Sequence, residues 1–304
     1  MTIQDVQGEI LRLKKEQDIL ILAHSYQARE ILEVADVTGD SYALSVAAAN
    51  VENRAVVMCG VRFMAETVKL LSPDKTVFLA NGDAGCPMAD ALSTDRLRAA
   101  IAKYPNAAVV CYINTTAEVK TLSDVCVTSS SAVKIIEAMD AEEILFVPDC
   151  NLGAYVADML PGKTVRLISG GCPIHMAVTA QDVKRVRAKH PGALLLVHPE
   201  CVPDVVKSAD YVGSTSGIYN YAVESDCREF IIGTELSIAE HLQYACPDKR
   251  FYPLSLNLMC HNMKLTTLMD VYHCLRGGGD EITLDTDLIA SARKCIDEMI
   301  RLGG

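Results

Sequence analysis

The feature that most constrains this chain is repetition: the same series of local signals recurs at intervals of 86 or 88 residues. Three apolar runs, Ile19-Leu20-Ile21-Leu22-Ala23, Ala108-Val109-Val110-Cys111 and Leu194-Leu195-Leu196-Val197, each lead into a polar residue. Those residues are His24, Tyr112 and His198, 88 and 86 positions apart. Asp36, Asp124 and Asp210 keep the interval, as do the hydroxyls of Ser41, Ser129 and Thr215. Two further sets of runs follow, beginning at Ala55, Ile144 and Phe230 and at Val77, Val165 and Phe251. Soon after the last set come Cys86, Cys172 and Cys260, 86 and 88 apart.

Unbroken apolar runs of four or five residues read as strands buried on both faces, the habit of a parallel sheet. Helical patterns lie between them, at residues 4–16, 94–103 and 180–190 at the head of each unit. The latter two start beside the capping candidates Ser93 and Thr179 and end at Pro105 and Pro191. Residues 42–50 and 132–139 suit helices that follow the hydroxyl turns, and 285–302 reads as a closing helix. Alternating strands and helices imply parallel α/β units. The expected fold is therefore three homologous parallel-sheet α/β domains related by pseudo-threefold symmetry around one central site. Their expected bounds are residues 1–90, 91–176 and 177–270, with a helical closure at 271–304. Ligand sites gather beyond the carboxyl ends of parallel strands. His24, Tyr112, His198 and the three cysteines all follow strands, so all can converge.

The chain of 304 residues carries a net charge of −11, which argues against nucleic acid as a partner, since phosphate binding needs a basic face. The amino terminus lacks the basic start and apolar run of a signal peptide. No stretch reaches the roughly 18 uncharged apolar residues that span a bilayer. A cytoplasmic protein with no membrane partner is expected. In that compartment twelve cysteines are thiols rather than disulfides, and no Cys-x-x-Cys occurs among them. Most should be small buried hydrophobes.

Cys86, Cys172 and Cys260 stand apart because each unit supplies one. They could hold zinc, with His175 or His261 as a fourth ligand. They could equally hold three irons of a [4Fe–4S] cluster, leaving the fourth iron open as a Lewis acid. The plain alternative is three structural thiols at equivalent core positions.

Several segments then carry a family resemblance: Ala23-His24-Ser25-Tyr26-Gln27, Gly39-Asp40-Ser41, Gly85-Cys86-Pro87-Met88-Ala89-Asp90 and Tyr112-Ile113-Asn114-Thr115-Thr116-Ala117-Glu118. So do His198-Pro199-Glu200-Cys201, Gly213-Ser214-Thr215-Ser216-Gly217 and Met259-Cys260-His261-Asn262-Met263-Lys264. In this order, over residues 20 to 270, they resemble the quinolinate synthase family. The resemblance implies three α/β domains around one [4Fe–4S] cluster per chain, held by Cys86, Cys172 and Cys260. It implies condensation of iminoaspartate with dihydroxyacetone phosphate to quinolinate, with loss of phosphate and two waters, in NAD biosynthesis. A functional link to an iminoaspartate-producing enzyme follows, and both a monomer and a homodimer are consistent with it.

By the same resemblance His24 and His198 meet substrate carboxylates, while Tyr26, Tyr112 and Asn114 orient substrate and relay protons. Glu200 resembles the general base, for which burial or cluster charge must tune its pKa. Ser41, Ser129 and Thr215, at turns into helices, suit phosphate and carboxylate, or are simply N-caps. Lys264 and Arg62 are weaker anion candidates. The chain departs from the family pattern at Met176, where an acidic residue is common, and in Gly217-Ile218-Tyr219-Asn220-Tyr221, which lacks a lysine. No Cys-x-x-Cys-x-x-Cys surrounds Cys260, so no disulfide switch is expected. Other readings are a different cluster enzyme, such as a diphthamide-type radical transferase or a hydro-lyase, and a zinc- or cluster-sensing scaffold.

Overall fold

A computed structural model describes residues 1–303, apart from the side chains of Tyr42 and Ser45. The first unit contains β1 (Ile19–His24), β2 (Val37–Gly39), β3 (Ala55–Cys59) and β4 (Thr76–Leu79). The second contains β5 (Ala108–Tyr112), β6 (Val125–Val127), β7 (Glu143–Val147) and β8 (Thr164–Leu167). The third contains β9 (Leu194–Val197), β10 (Tyr211–Val212), β11 (Glu229–Gly233) and β12 (Arg250–Pro253). Each unit is a separate sheet, and the first, second, third and fourth strands of each fall in the spatial order 2-1-3-4, all parallel.

The registers coincide across the three sheets. The first strand pairs with the second at an offset of 15 residues in Leu22↔Val37, Val110↔Val125 and Leu196↔Tyr211. It pairs with the third at an offset of 36 in Ile19↔Ala55, Ala108↔Ile144 and Leu194↔Phe230. Third and fourth strands pair at an offset of 21 in Ala55↔Thr76, Glu143↔Thr164 and Glu229↔Arg250. A one-residue slip would turn every side chain to the other face, so equal offsets mean that equivalent residues face equivalent ways.

Two repeated side chains fix this geometry. The backbone N–H of Asp36 donates to Ile21 O at 2.8 Å, and its carboxylate accepts Ile21 N–H at 2.8 Å. Asp124 makes the same reciprocal pair with Val109, and Asp210 with Leu195. The repeated aspartates are thus pins between first and second strands. Lys75, Lys163 and Lys249, also 88 and 86 apart, donate to carbonyls at the ends of the helices Ser41–Asn50, Ala132–Ala138 and Thr215–Glu224. A cation there satisfies orphan carbonyls and complements the helix dipole.

The strand interiors are buried on both faces, as the apolar runs predict: Ile21, Leu22, Val109, Val110, Leu195 and Leu196 are all buried. Burying one such side chain contributes about 1.5–3 kcal/mol before entropic costs. The short strands β2, β6 and β10 carry no such run and were not marked by the apolar pattern.

The hydroxyl turns differ from the capping expectation. The caps are Asp40, whose Oδ1 accepts Ala43 N–H, and Ser214, whose Oγ accepts Gly217 N–H. Ser41 and Thr215 occupy the first helical position instead. In the second unit the helix starts later, at Ala132, leaving Ser129 in the preceding turn. An N-cap favours an extended backbone, and in the first and third units that conformation falls one residue earlier, at Asp40 and Ser214, than the repeat alone indicates.

Beyond the third unit the chain returns to the first. The helix Leu268–His273 packs on the opening helix Ile3–Glu16, and β13 (Asp280–Glu281) adds antiparallel to β4. The helix Thr286–Gly303 buries Ala292, Cys295, Ile296 and Met299, one stripe at helical spacing, against β6 and the turn of helix Ala117–Lys120. Among the described residues no helix is long and apolar enough to cross a membrane.

Candidate active site

The carboxyl ends of the strands open into one shared cavity. Residues from all three units line it. His24, Tyr26 and Ser41 come from the first, Tyr112, Asn114 and Ser129 from the second, and His198, Glu200 and Thr215 from the third. Cys86, Cys172 and Cys260 line it as well, so the twelve residues expected to hold the cluster or meet substrate reach the same space. Lys264 and Arg62 do not. Lys264 is held by Tyr26 O, Ser237 Oγ and the Glu235 carboxylate, and Arg62 pairs with Asp280 at 3.0 Å. His261 is exposed and Cys201 is buried with its Sγ on Gly233 O, so neither contributes.

The two strand-end histidines are built alike. His24 Nδ1 accepts the N–H of Tyr26 at 3.1 Å, and His198 Nδ1 accepts the N–H of Glu200 at 3.3 Å. A nitrogen that accepts a backbone N–H carries no proton, so in the neutral ring Nε2 bears the hydrogen. Burial pushes both imidazoles down to about 4, which keeps them neutral near pH 7. Each is then a neutral N–H donor. That of His198 meets Ser129 Oγ at 3.2 Å.

Tyr26 and Tyr112 have phenols raised well above their usual range, by burial first and the Glu200 charge second, so both remain protonated. Tyr26 OH lies 2.9 Å from Thr215 Oγ1 and 3.0 Å from Thr234 Oγ1. Thr234 in turn meets His175 Nε2 at 3.1 Å. Burial alone would raise the Glu200 carboxyl. The imidazoles of His198 and His175 and the Tyr112 hydroxyl outweigh it and hold the group below the ordinary range, ionised at neutral pH. His175 Nδ1 is 2.7 Å from Glu200 Oε2 without being aligned as a hydrogen bond. Glu200 Oε1 and Asn114 Oδ1 are buried polar atoms with no hydrogen-bond partner. In a native interior such atoms mark places where a ligand completes the bonding.

Each cysteine begins a short turn whose backbone N–H groups favour its thiolate: Met88 and Ala89 for Cys86, Ile174 and His175 for Cys172, Asn262 and Met263 for Cys260. Burial nevertheless raises all three thiols, Cys86 to about 12, so ionisation needs a compensating cation. Behind each cysteine a carboxylate accepts its backbone N–H. Asp149 Oδ2 takes Cys172 N–H at 2.9 Å, Glu235 Oε1 takes Cys260 N–H at 3.4 Å, and Asp90 Oδ2 takes Cys86 N–H at 3.2 Å. Asp149 and Glu235 are completely buried and also cap the helices Cys150–Met159 and Leu236–Ala245. The corresponding cap in the first unit is Val61, which has no side-chain bond, and Asp90 is exposed.

Sequence reasoning missed Asp40, Asp149, Thr234 and Glu235, and offered His175 as one of two candidates for a fourth zinc ligand. A signal for two of these existed, because 149 and 235 are 86 apart and precede equivalent helices. A second metal-ligating set also lies in the cavity: one donor atom each from Cys172, His175 and Glu200 fall within 4.8 Å of one another.

The model of the family described as quinolinate synthetase A protein matches residues 8–301. Curated proteins similar to this chain include a quinolinate synthase of Alkaliphilus metalliredigens, 49% identical over 97% of both chains. A quinolinate synthase of Clostridium kluyveri is 47% identical over 97% of both, and one of Methanoregula boonei is 47% identical over 98% of both.

Proposed function

This chain belongs to the quinolinate synthase family and is an enzyme, and from that premise we propose that it makes quinolinate from iminoaspartate and dihydroxyacetone phosphate in NAD biosynthesis. Phosphate and two waters leave, which balances the atoms of the two substrates. The observation that supports this reading is the convergence, in one cavity, of three thiols and nine polar side chains drawn equally from three units.

The residues fit a [4Fe–4S] cluster: three half-buried thiols, backbone N–H groups at each, and orphaned polar atoms in the same space. Cys86, Cys172 and Cys260 would hold three irons, and the cluster would supply an open Lewis-acidic iron. The chain's own groups do the rest. His24 and His198 present Nε2–H to carboxylates without adding charge, which suits an acidic protein that binds anions. The amino ends of the helices Ser41–Asn50 and Thr215–Glu224 add backbone donors for a phosphate. Tyr26 and Tyr112, kept protonated, donate to oxygens of the substrate. Asn114 Oδ1 offers an acceptor for an N–H or O–H. Glu200, ionised and beside Tyr112, removes the protons that condensation and dehydration release.

The test is an anaerobic assay of purified protein with iminoaspartate and dihydroxyacetone phosphate. Quinolinate that requires both substrates and vanishes on exposure to air is the expected result. No product from a chain loaded with iron and sulfide would overturn the reading.

A further inference from the structure

We propose that Cys172, His175 and Glu200 form a site for one divalent ion of the zinc class, separate from the three-cysteine set. Cys172 belongs to both sets, so the ion and a cluster exclude one another.

The donor atoms of the three residues lie within 4.8 Å of one another. Tetrahedral zinc with bonds of about 2.0–2.3 Å places its ligands about 3.3–3.8 Å apart, so small side-chain rotations close the shell. The donor set of one thiolate, one imidazole and one carboxylate leaves a fourth position open, as in catalytic zinc sites. Independent of this spacing, Glu200 Oε1 is buried and lacks a hydrogen-bond partner, while His175 Nδ1 lies 2.7 Å from the other carboxylate oxygen, Oε2, a contact that an ion would replace. Both residues are at least nine-tenths buried, at 2% and 3% exposure.

The outer contacts are also in place. His175 Nε2 is held by Thr234 Oγ1 at 3.1 Å, which leaves Nδ1 as the coordinating nitrogen. The Glu200 backbone is fixed at both ends, its N–H on His198 Nδ1 and its carbonyl accepting from Asn151 Nδ2 at 3.1 Å. Cys172 N–H is fixed by Asp149. An ion bound there occupies Glu200 as well as Cys172, and on the function proposed above it therefore blocks activity while it is bound. This site stands on its own geometry, whatever reaction the chain catalyses.

The experiment uses the full chain, freed of iron by chelator and reductant without oxygen, and titrated with Zn²⁺ alone against a chromogenic competitor. One equivalent should bind. Glu200→Gln, which preserves shape, and His175→Ala should each weaken binding at least roughly tenfold. Cys86→Ala and Cys260→Ala should leave it unchanged, because neither sulfur belongs to the set. Equal loss in either cysteine variant would place the ion among the three thiols and overturn the proposal, as would absence of stoichiometric binding. Should His175→Ala fail to fold, Glu200→Gln and the Co²⁺ spectrum of the unaltered chain decide: absorbance for one thiolate supports the site, and for three refutes it. Zn²⁺ added first should also block the rise of iron–sulfur absorbance on reconstitution. Unchanged cluster uptake would refute the exclusion.

Discussion

At the amino ends of the edge strands the three units carry the same side chains for the same tasks, whereas at the carboxyl ends much less repeats. Asp36, Asp124 and Asp210 pin neighbouring strands with one reciprocal bond pattern, and Lys75, Lys163 and Lys249 close equivalent helices. At the other end the first and third units share a histidine, His24 and His198, where the second has Tyr112, and the equivalent positions Tyr26, Asn114 and Glu200 all differ. The cysteines and the hydroxyls of Ser41, Ser129 and Thr215 are what repeats there in all three units. Three copies of a backbone have the same hydrogen bonds to satisfy, so the same residues serve. A cavity shared by the three copies is not symmetric in what it must bind, and its lining can differ from wall to wall.

The sharpest way to break this contrast is at the cysteines, the one residue type that all three units supply unchanged to the cavity. Cys172→Ala should abolish visible iron–sulfur absorbance and bound sulfide after anaerobic reconstitution, while Cys59→Ala and Cys295→Ala retain both. A full cluster in the Cys172 variant would make the cysteines ordinary scaffold. Next in size, Glu200→Gln should lower kcat on the order of 10²–10⁴-fold in the quinolinate assay, with thermal unfolding unaltered. Asp149→Ala removes a helix cap and strands the Cys172 N–H, and should cost about 2–3 kcal/mol in urea unfolding of the iron-free chain. The exposed Asp90→Ala should cost under about 0.5 kcal/mol. Equal costs would show that the buried carboxylates of the second and third units confer nothing special. The smallest effect belongs to the amino ends, where Lys163→Met should cost about 1–2 kcal/mol in the same measurement and leave kcat unchanged.

Much of this was legible before the fold was known, because apolar runs and a fixed interval are properties of the chain itself. β1, β5 and β9 carry four or five apolar residues each, and the interval aligns them with their polar ends. The edge strands were not legible, since β10 is only Tyr211–Val212 and β2 is Val37–Gly39, too short for a periodic signal. The twelve expected site residues do share one cavity, but their roles came from resemblance rather than from spacing. Asp149 and Glu235 escaped notice because an acidic residue before a helix reads as a cap, and its second bond, to a cysteine some 23–25 positions onward, exists only in three dimensions. β13 was equally hidden, for two polar residues become a strand only when β4 offers an edge.

That late strand has a consequence for the growing chain. β13 joins Asp280 to Leu79, a pairing across 201 residues, and the following helix rests on β6 of the middle unit. During synthesis β4 therefore stays an open edge long after its own unit has formed its parallel ladder. Closing so long a loop is slow but adds little entropic cost beyond that of a shorter one. The edge of the first sheet is thus closed by residues made about 200 positions later than the strand they cover.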